Sequence, residues 1–214
     1  MIQSDLDLFG SQPQRLASHT VLLPGFALSE VEAVLDALRP VLRASPFRNM
    51  HTPGGLRMAV ALSNCGALGW VSDEQGYRYG PTDPLSGKPW PCLPSVLFGI
   101  AKRAAAAAGF ERFEPDTCLI NHYQPGNRLS LHQDRNERDF SQPIVSISLG
   151  LPAVFLFGGL TRSERTQRVT LSHGDVLVWG GDDRLRFHGV LALKPGVHPR
   201  LGERRINLTL RKAG

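Results

Sequence analysis

Cysteines are few in this chain, and nothing in their spacing pairs them. Cys65, Cys92 and Cys118 are odd in number and lack CxxC spacing, which excludes a disulfide framework and a zinc ribbon and leaves ordinary reduced thiols. Long apolar runs are missing too: nothing approaches the ~20 residues needed to span a bilayer, so no membrane partner is expected. The N-terminal MIQSDLDLFG carries acids where a secretory leader would carry basic residues and then a long apolar stretch, and a cytoplasmic location is the expectation. GxGxxG, GxxxxGK[ST] and GxSxG are absent, which leaves nucleotide cradling and serine hydrolysis without support. There is no internal repeat and no low-complexity tract beyond the helix-forming AAAAA of residues 104–108.

What is present describes a folded chain able to bury a sizeable core: 214 residues, 42% hydrophobic and 20% charged. A formal charge of +5 and a pI near 9.5 favour an anionic partner, nucleic acid first, because Lys and Arg release counterions from phosphates. The excess is modest, and many basic proteins bind no polyanion.

Along the chain, residues 1–20 read as a loose arm and 21–214 as one domain. SEVEAVLDALRPVLRA (29–44) predicts a helix, with Ser29 and Glu32 as a capping box and Val31, Val34, Leu35, Leu38, Val41 and Leu42 on one face. Pro40 should kink or end it. Residues 45–94 are irregular yet hold Trp70, Tyr77, Tyr79 and Trp90, a composition typical of a functional loop system. A second helix over 95–108 stops at Gly109. Beyond it, TCLINHY, RLSLHQD, IVSISLG, AVFLFG, QRVTLS, DVLVWG, RFHGVLAL and RRINLTLR are short β-type runs between glycine-rich turns. That rhythm predicts a mainly β fold with flanking helices, an antiparallel sandwich or barrel such as a jelly roll.

LSLHQD sets His132 and Asp134 two residues apart, so in extended chain both side chains leave the same face. A third ligand would come from a distant strand, and His188 in LRFHGV is the best placed of the seven histidines. Two imidazoles and one carboxylate form the facial triad of a non-haem Fe(II) centre, with open positions for substrate and oxygen. The bland alternatives are a surface HxD pair and a satisfied core histidine. In RRINLTLR, alternation puts Arg205, Asn207, Thr209 and Arg211 on one face. That face is either the solvated side of an edge strand or the lining of a barrel. Inside a barrel, two guanidiniums require anions, and a dicarboxylate would satisfy both. Asn121 and Tyr123 in LINHY share a face and could bond the same ligand.

The ordered set of NxY at 121–123, HxD at 132–134, His188 and RxNxTxR at 205–211 resembles the AlkB family of Fe(II)- and 2-oxoglutarate-dependent dioxygenases. SPFRNMHTPGG, NCGALGW, GYRYGPTDP, KPWP, IVSISLGLPAVFLFGGL and HGDVLVWGG follow in the family's order, so the resemblance spans roughly residues 20–214. It implies a double-stranded β-helix (jelly-roll, cupin-like) core over 111–214. Residues 21–110 would supply N-terminal helices and a nucleotide-recognition lid, completing one catalytic domain. His132, Asp134 and His188 are implied as the Fe(II) ligands and catalytic centre. Arg205, Asn121 and Tyr123 would hold the distal carboxylate of 2-oxoglutarate, with Asn207 and Arg211 near its iron-bound end. With O2, the expected reaction is oxidative demethylation of 1-methyladenine or 3-methylcytosine, releasing formaldehyde, succinate and CO2. The expected partner is single-stranded DNA, or duplex DNA with the damaged base flipped out, with RNA left open. A monomer is expected.

Trp70 matches the family's base-stacking aromatic, Tyr77 and Arg78 match backbone contacts, and Thr52 and Arg162 fall at substrate-groove positions. Without the resemblance, ordinary packing would be the default for the aromatics. Two positions depart from the bacterial pattern. Asn136 replaces an acid that touches the base, and His122 stands where arginine is usual. An amide carries no charge and offers donors as well as an acceptor, so base preference is open. Two other readings share parts of this pattern: an oxygenase of small molecules or proteins, and a metal-free β-barrel binding module.

Overall fold

The computed structural model describes residues 12–214. Of the arm expected over 1–20, residues 1–11 lie outside the described residues, and the rest is not loose. β1 (Gln14–Ala17) pairs antiparallel with β2 (Thr20–Leu23). A tight 3-10 turn over Leu28–Glu30 then leads into α1 (Val31–Ala44), whose buried face is Val31, Val34, Leu38 and Val41.

The capping box does not form. The 3-10 turn moves the helix start to Val31, Glu30 occupies the N-cap position without a side-chain cap, and the carboxylates of Glu30 and Glu32 pair with Arg103 and Arg200 instead. Pro40 neither ends nor breaks α1, which continues to Ala44. It sits on the solvent side, where the carbonyl of exposed Asp36, deprived of its helical donor, can meet water.

Residues 45–94, expected as irregular, contain three strands: β3 (Ala61–Gly66), β4 (Gly69–Asp73) and β5 (Gly76–Gly80). β4 and β5 form a separate hairpin in which Trp70 pairs with Tyr79 and Ser72 with Tyr77, so these four side chains share one face. Gly76, at φ +105, closes its turn. Gly69 lies flat on the Trp90 indole, where an added Cβ would come within 2.3 Å of the ring. α2 (Ser95–Ala107) ends as expected, with Gly109 in the left-handed region at φ +94.

The remaining strands are β6 (Thr117–Tyr123), β7 (Leu129–His132), β8 (Ile144–Gly150), β9 (Ala153–Phe157), β10 (Gln167–Leu171), β11 (Val176–Trp179), β12 (His188–Val190) and β13 (Arg205–Arg211). They build a major sheet in the order β1-β2-β11-β8-β13-β6-β3 and a minor sheet in the order β10-β9-β12-β7. The fold is therefore mainly β, a jelly-roll core flanked by helices.

Period-two alternation divides the major sheet. Cys118 and Ile120 of β6, Val145, Ile147 and Leu149 of β8, and Ile206, Leu208 and Leu210 of β13 pack in one apolar cluster with the helices. On the opposite face, Leu22, Leu177 and Trp179 meet Phe155, Phe157, Val169 and Leu171 of the minor sheet. The intervening positions on that inner face are polar: Asn121, Ser146, Ser148, Arg205, Asn207, Thr209 and Arg211. The helix layer thus supplies apolar burial on the outside and leaves the inside of the barrel for chemistry. None of the described helices is long and apolar enough to cross a membrane.

Leu208 is fully buried between β13 and the helices. Leu208→Ala is expected to lower the unfolding free energy by about 2–5 kcal/mol. Urea denaturation checks this.

Candidate metal and co-substrate site

The short strand β12 pairs with β7 so that His188 stands directly opposite His132, with ring centroids 4.4 Å apart. β7 ends at His132, and Asp134 lies in the irregular chain beyond it rather than within an extended HxD strand. Even so, its Oδ1 is 3.8 Å from His132 Nε2 and its Oδ2 is 3.6 Å from His188 Nε2. One ligand atom from each of the three residues falls within 4.8 Å of the others. Each imidazole turns Nδ1 to a carbonyl, His132 to Ser130 and His188 to Arg186, both at 2.9 Å. Donation from Nδ1 fixes the tautomer in which Nε2 presents a lone pair to the centre, the usual support for a metal-binding histidine.

Protonation fits that role. Burial, then the neighbouring His188, lowers the His132 imidazole to about 4, so it is neutral at physiological pH. Burial works to raise the Asp134 carboxyl, but the Arg211 guanidinium and then His188 outweigh it and hold it well below the usual carboxylate range. Two nitrogens and an anionic oxygen on one side of a common point match the donor set of a non-haem iron centre.

The candidate co-substrate end is the inner face of β13. Arg205 is 2% exposed and sits opposite Tyr123 of β6, while Asn207 sits opposite Asn121. Arg205 donates to Ser148 Oγ at 2.8 Å and to the Leu171 and Leu151 carbonyls at 3.3 and 3.4 Å. Its Nε has no partner, and among the described residues no carboxylate comes within ion-pair distance of it. Burial pulls this guanidinium down to about 10 against the opposing influence of Tyr123 and Asp175. The same burial pushes the Tyr123 phenol up to about 12, keeping its proton available for donation. A buried cation without an anion is expensive unless a ligand supplies one, so this pocket fits an acidic group such as the distal carboxylate of 2-oxoglutarate.

Arg211 is differently placed. It grips Asp134 Oδ2 through Nη2 at 2.6 Å and Nε at 3.1 Å and lies 3.4 Å from Glu137, while its Nη1 has no partner. Asn207 donates to Ser146 Oγ at 2.7 Å and to the Ile147 carbonyl at 3.1 Å, and its own oxygen accepts from Thr209.

A support network escaped the sequence reading. Arg184, 2% exposed, donates to the backbone carbonyl of Asp134 at 2.7 Å and lies 3.1 Å from Glu137 Oε2. Glu137 Oε1 accepts the Tyr79 hydroxyl at 2.7 Å, tying the β4–β5 hairpin to the arginine pair. Fully buried Asn64 holds the other side of the hairpin, with its amide exchanging hydrogen bonds with the Trp70 backbone at 2.9 and 3.0 Å. No local sequence pattern links Glu137 to Arg184.

The expected substrate contacts divide. Trp70 and Tyr77 lie nearly parallel, with ring centroids 5.6 Å apart. Asn136 accepts from Trp70 Nε1 at 3.3 Å and donates to the Tyr77 carbonyl at 3.5 Å. Arg78 is engaged by Asp73 through two bonds of 2.6 and 2.8 Å. Thr52 closes its own turn, exchanging backbone and side-chain bonds with Leu56. Arg162 is exposed beyond β9, 5.3 Å over the Phe187 ring next to His188. His122 alternates away from Asn121 and Tyr123 and stacks on Phe47 at 4.9 Å, so its departure from the family pattern lies on the other face of β6.

Removing the Glu137 charge leaves two buried guanidiniums under-compensated. Glu137→Gln is expected to cost about 3–5 kcal/mol of stability, measured by urea denaturation, and a loss below about 1 kcal/mol would contradict the network.

Residues 19–211 match the model of the 2OG-Fe(II) oxygenase superfamily. The chain is 53% identical over 211 residues to the alpha-ketoglutarate-dependent dioxygenase AlkB of Salmonella typhimurium, covering 97% of this chain and 98% of that protein. It is 36% identical over 129 residues to the nucleic acid dioxygenase ALKBH1 of Homo sapiens, covering 60% of this chain and 33% of that one. The solved structure of OsALKBH1 superposes with a TM-score of 0.81 at 31% identity, over 94% of this chain and all of that one. With the histidine–aspartate–histidine cluster already in view, these likenesses place the chain in the AlkB family of the 2OG-Fe(II) oxygenase superfamily, as an enzyme using Fe(II), 2-oxoglutarate and O2.

Proposed function

We propose that this dioxygenase repairs alkylated DNA by oxidative demethylation of 1-methyladenine and 3-methylcytosine in single-stranded substrate or on a base flipped out of a duplex. The observation that carries the reading is the aromatic pair Trp70–Tyr77, held beside Asn136, which lies two residues beyond Asp134 in the histidine–aspartate–histidine cluster. Every base has a π-face, so such a pair suits a base out of its stack. The human relative, a nucleic acid dioxygenase, and the basic charge of this chain support the same substrate class. RNA with the same lesions is a candidate alongside DNA.

In this reading His132, Asp134 and His188 hold Fe(II). Arg205, with Asn121 and Tyr123, takes the distal carboxylate of 2-oxoglutarate, and Asn207 and Arg211 face its metal-proximal end. When bound, iron and 2-oxoglutarate supply the oxidation: one atom of O2 enters succinate as CO2 leaves, and the other converts N-methyl to N-hydroxymethyl. The hydroxymethyl base then sheds formaldehyde and a proton, which restores the unsubstituted ring nitrogen. The protein orients and excludes. Arg205 sets the depth of the diacid, Arg211 and Arg184 hold the Asp134 carboxylate and backbone, and Trp70 stacks on the base while Tyr77, Arg78, Thr52 and Arg162 border the strand's path. Residues 21–214 act as one catalytic domain, with 21–110 carrying the helices and lid and 111–214 the double-stranded β-helix. The enzyme acts as a cytoplasmic monomer.

His132→Ala is expected to abolish lesion-dependent succinate formation. Retained turnover would overturn the ligand assignment. Arg205→Lys, which keeps the charge but loses the fork, is expected to raise the KM for 2-oxoglutarate roughly 10–100-fold with a smaller change in kcat. Succinate release against co-substrate concentration checks it, and an unchanged KM would contradict the role.

A further inference from the structure

Beside the Trp70–Tyr77 pair lies a second concavity, of about 310 Å³, that contains no metal ligand. β5 contributes Tyr77, Arg78 and Tyr79, and the segment beyond β7 contributes Asn136 and Arg138. Its volume is at the small end of the ~300–1,000 Å³ range of ligand clefts. The charges around it are one-sided. No acidic side chain lines it, and its two arginines differ in state. Arg78 is neutralised by its two hydrogen bonds to Asp73, whereas Arg138 is exposed and has no carboxylate within ion-pair distance among the described residues. Arg138 is held at the cleft through its backbone N–H, which donates to the Ala213 carbonyl at 3.3 Å. Tyr77, 47% exposed, supplies an aromatic surface at the same opening. An uncompensated guanidinium carried on a hydrogen-bonded backbone next to exposed aromatic surface is the chemistry that recognises a phosphodiester and the base attached to it.

Asn136 connects this cleft to the base slot, because the amide that lines it also bonds Trp70 Nε1 and the Tyr77 carbonyl. An acid at this position would oppose Arg138 two residues away, and the neutral amide leaves the cleft positive.

We infer that this cleft is a flanking-nucleotide subsite: Arg138 takes a phosphate of the strand next to the flipped base, and the adjacent base stacks on the exposed tyrosine. The assignment rests on the nucleic-acid reading above and names a contact made by Arg138 beside Asn136. It makes a strand of at least two nucleotides bind better than the isolated lesion nucleotide.

The test uses the full-length enzyme with single-stranded oligodeoxynucleotides carrying a central 1-methyladenine, with binding followed by fluorescence anisotropy over a salt series. Arg138→Ala is expected to weaken binding roughly three- to tenfold at moderate salt. It should also lower the slope of log K against log salt by ~0.7, the value for one phosphate contact on a single strand. Arg43→Ala, which removes an exposed charge from α1 on the helix layer, should leave that slope unchanged. With wild-type enzyme, an abasic site on one side of the lesion should weaken binding at least about fivefold, and the same change on the other side should not. An Arg138→Ala slope equal to wild type, or equal losses from Arg138→Ala and Arg43→Ala, overturns the subsite while lesion-dependent succinate formation by the wild type keeps the parent reading intact. If the wild type neither prefers the lesion strand nor responds to it with succinate, the parent reading fails and the subsite falls with it.

Discussion

The site depends on one register: β12 pairs with β7 so that His188 faces His132 across the minor sheet. A shift of one residue would turn one imidazole to the opposite face and dismantle the cluster. The carbonyls of Ser130 and Arg186, each two residues before its histidine, then set which nitrogen faces inward. Asp134 has no strand to hold it. Its position comes from Arg184 on its backbone carbonyl and Arg211 on its carboxylate, so the third donor of the cluster is placed by charge rather than by sheet hydrogen bonds.

The two inward arginines of β13 divide the work according to what they find there. Arg211 is surrounded by Asp134 and Glu137, which hold it well above its ordinary value against the opposing effect of burial. Arg205 is as deeply placed but meets only neutral oxygens, and burial draws it down. One arginine is therefore paired within the protein itself, and the other has no carboxylate within ion-pair distance among the described residues. This asymmetry fits a ligand with one anionic end deep in the barrel and a second near the histidine–aspartate–histidine cluster. The outer apolar face of the same strand, locked under α1 and α2, lets such a polar interior persist.

Much of this was legible in local sequence. The strands after Gly109 announce themselves by short β-type runs between glycine turns, and RRINLTLR shows its two faces by alternation alone. His188 was recognisable from its place in an apolar run. What escaped has physical reasons. The β4–β5 hairpin is built from glycine-flanked runs of five residues each, too short and too glycine-rich to separate from loop by pattern, and its stability comes from Trp90 beneath Gly69 and from Asn64. The Ser29–Glu32 box was a sound local signal that lost to tertiary ion pairs with Arg103 and Arg200. Glu137 and Arg184 are 47 positions apart, and no periodicity connects a buried ion pair across that distance. The register of β6 turns His122 to the outer face, a fact about pairing that its identity alone does not carry.

The central claim is that His132, Asp134 and His188 converge on one iron. X-ray absorption at the iron edge of the anaerobic Fe(II)-loaded protein with 2-oxoglutarate tests it most directly. The account predicts scattering from two imidazole rings in a nitrogen- and oxygen-ligated shell, with the imidazole contribution reduced to one ring in His188→Ala. An iron environment without imidazole, or one that His188→Ala leaves unaltered, would contradict it.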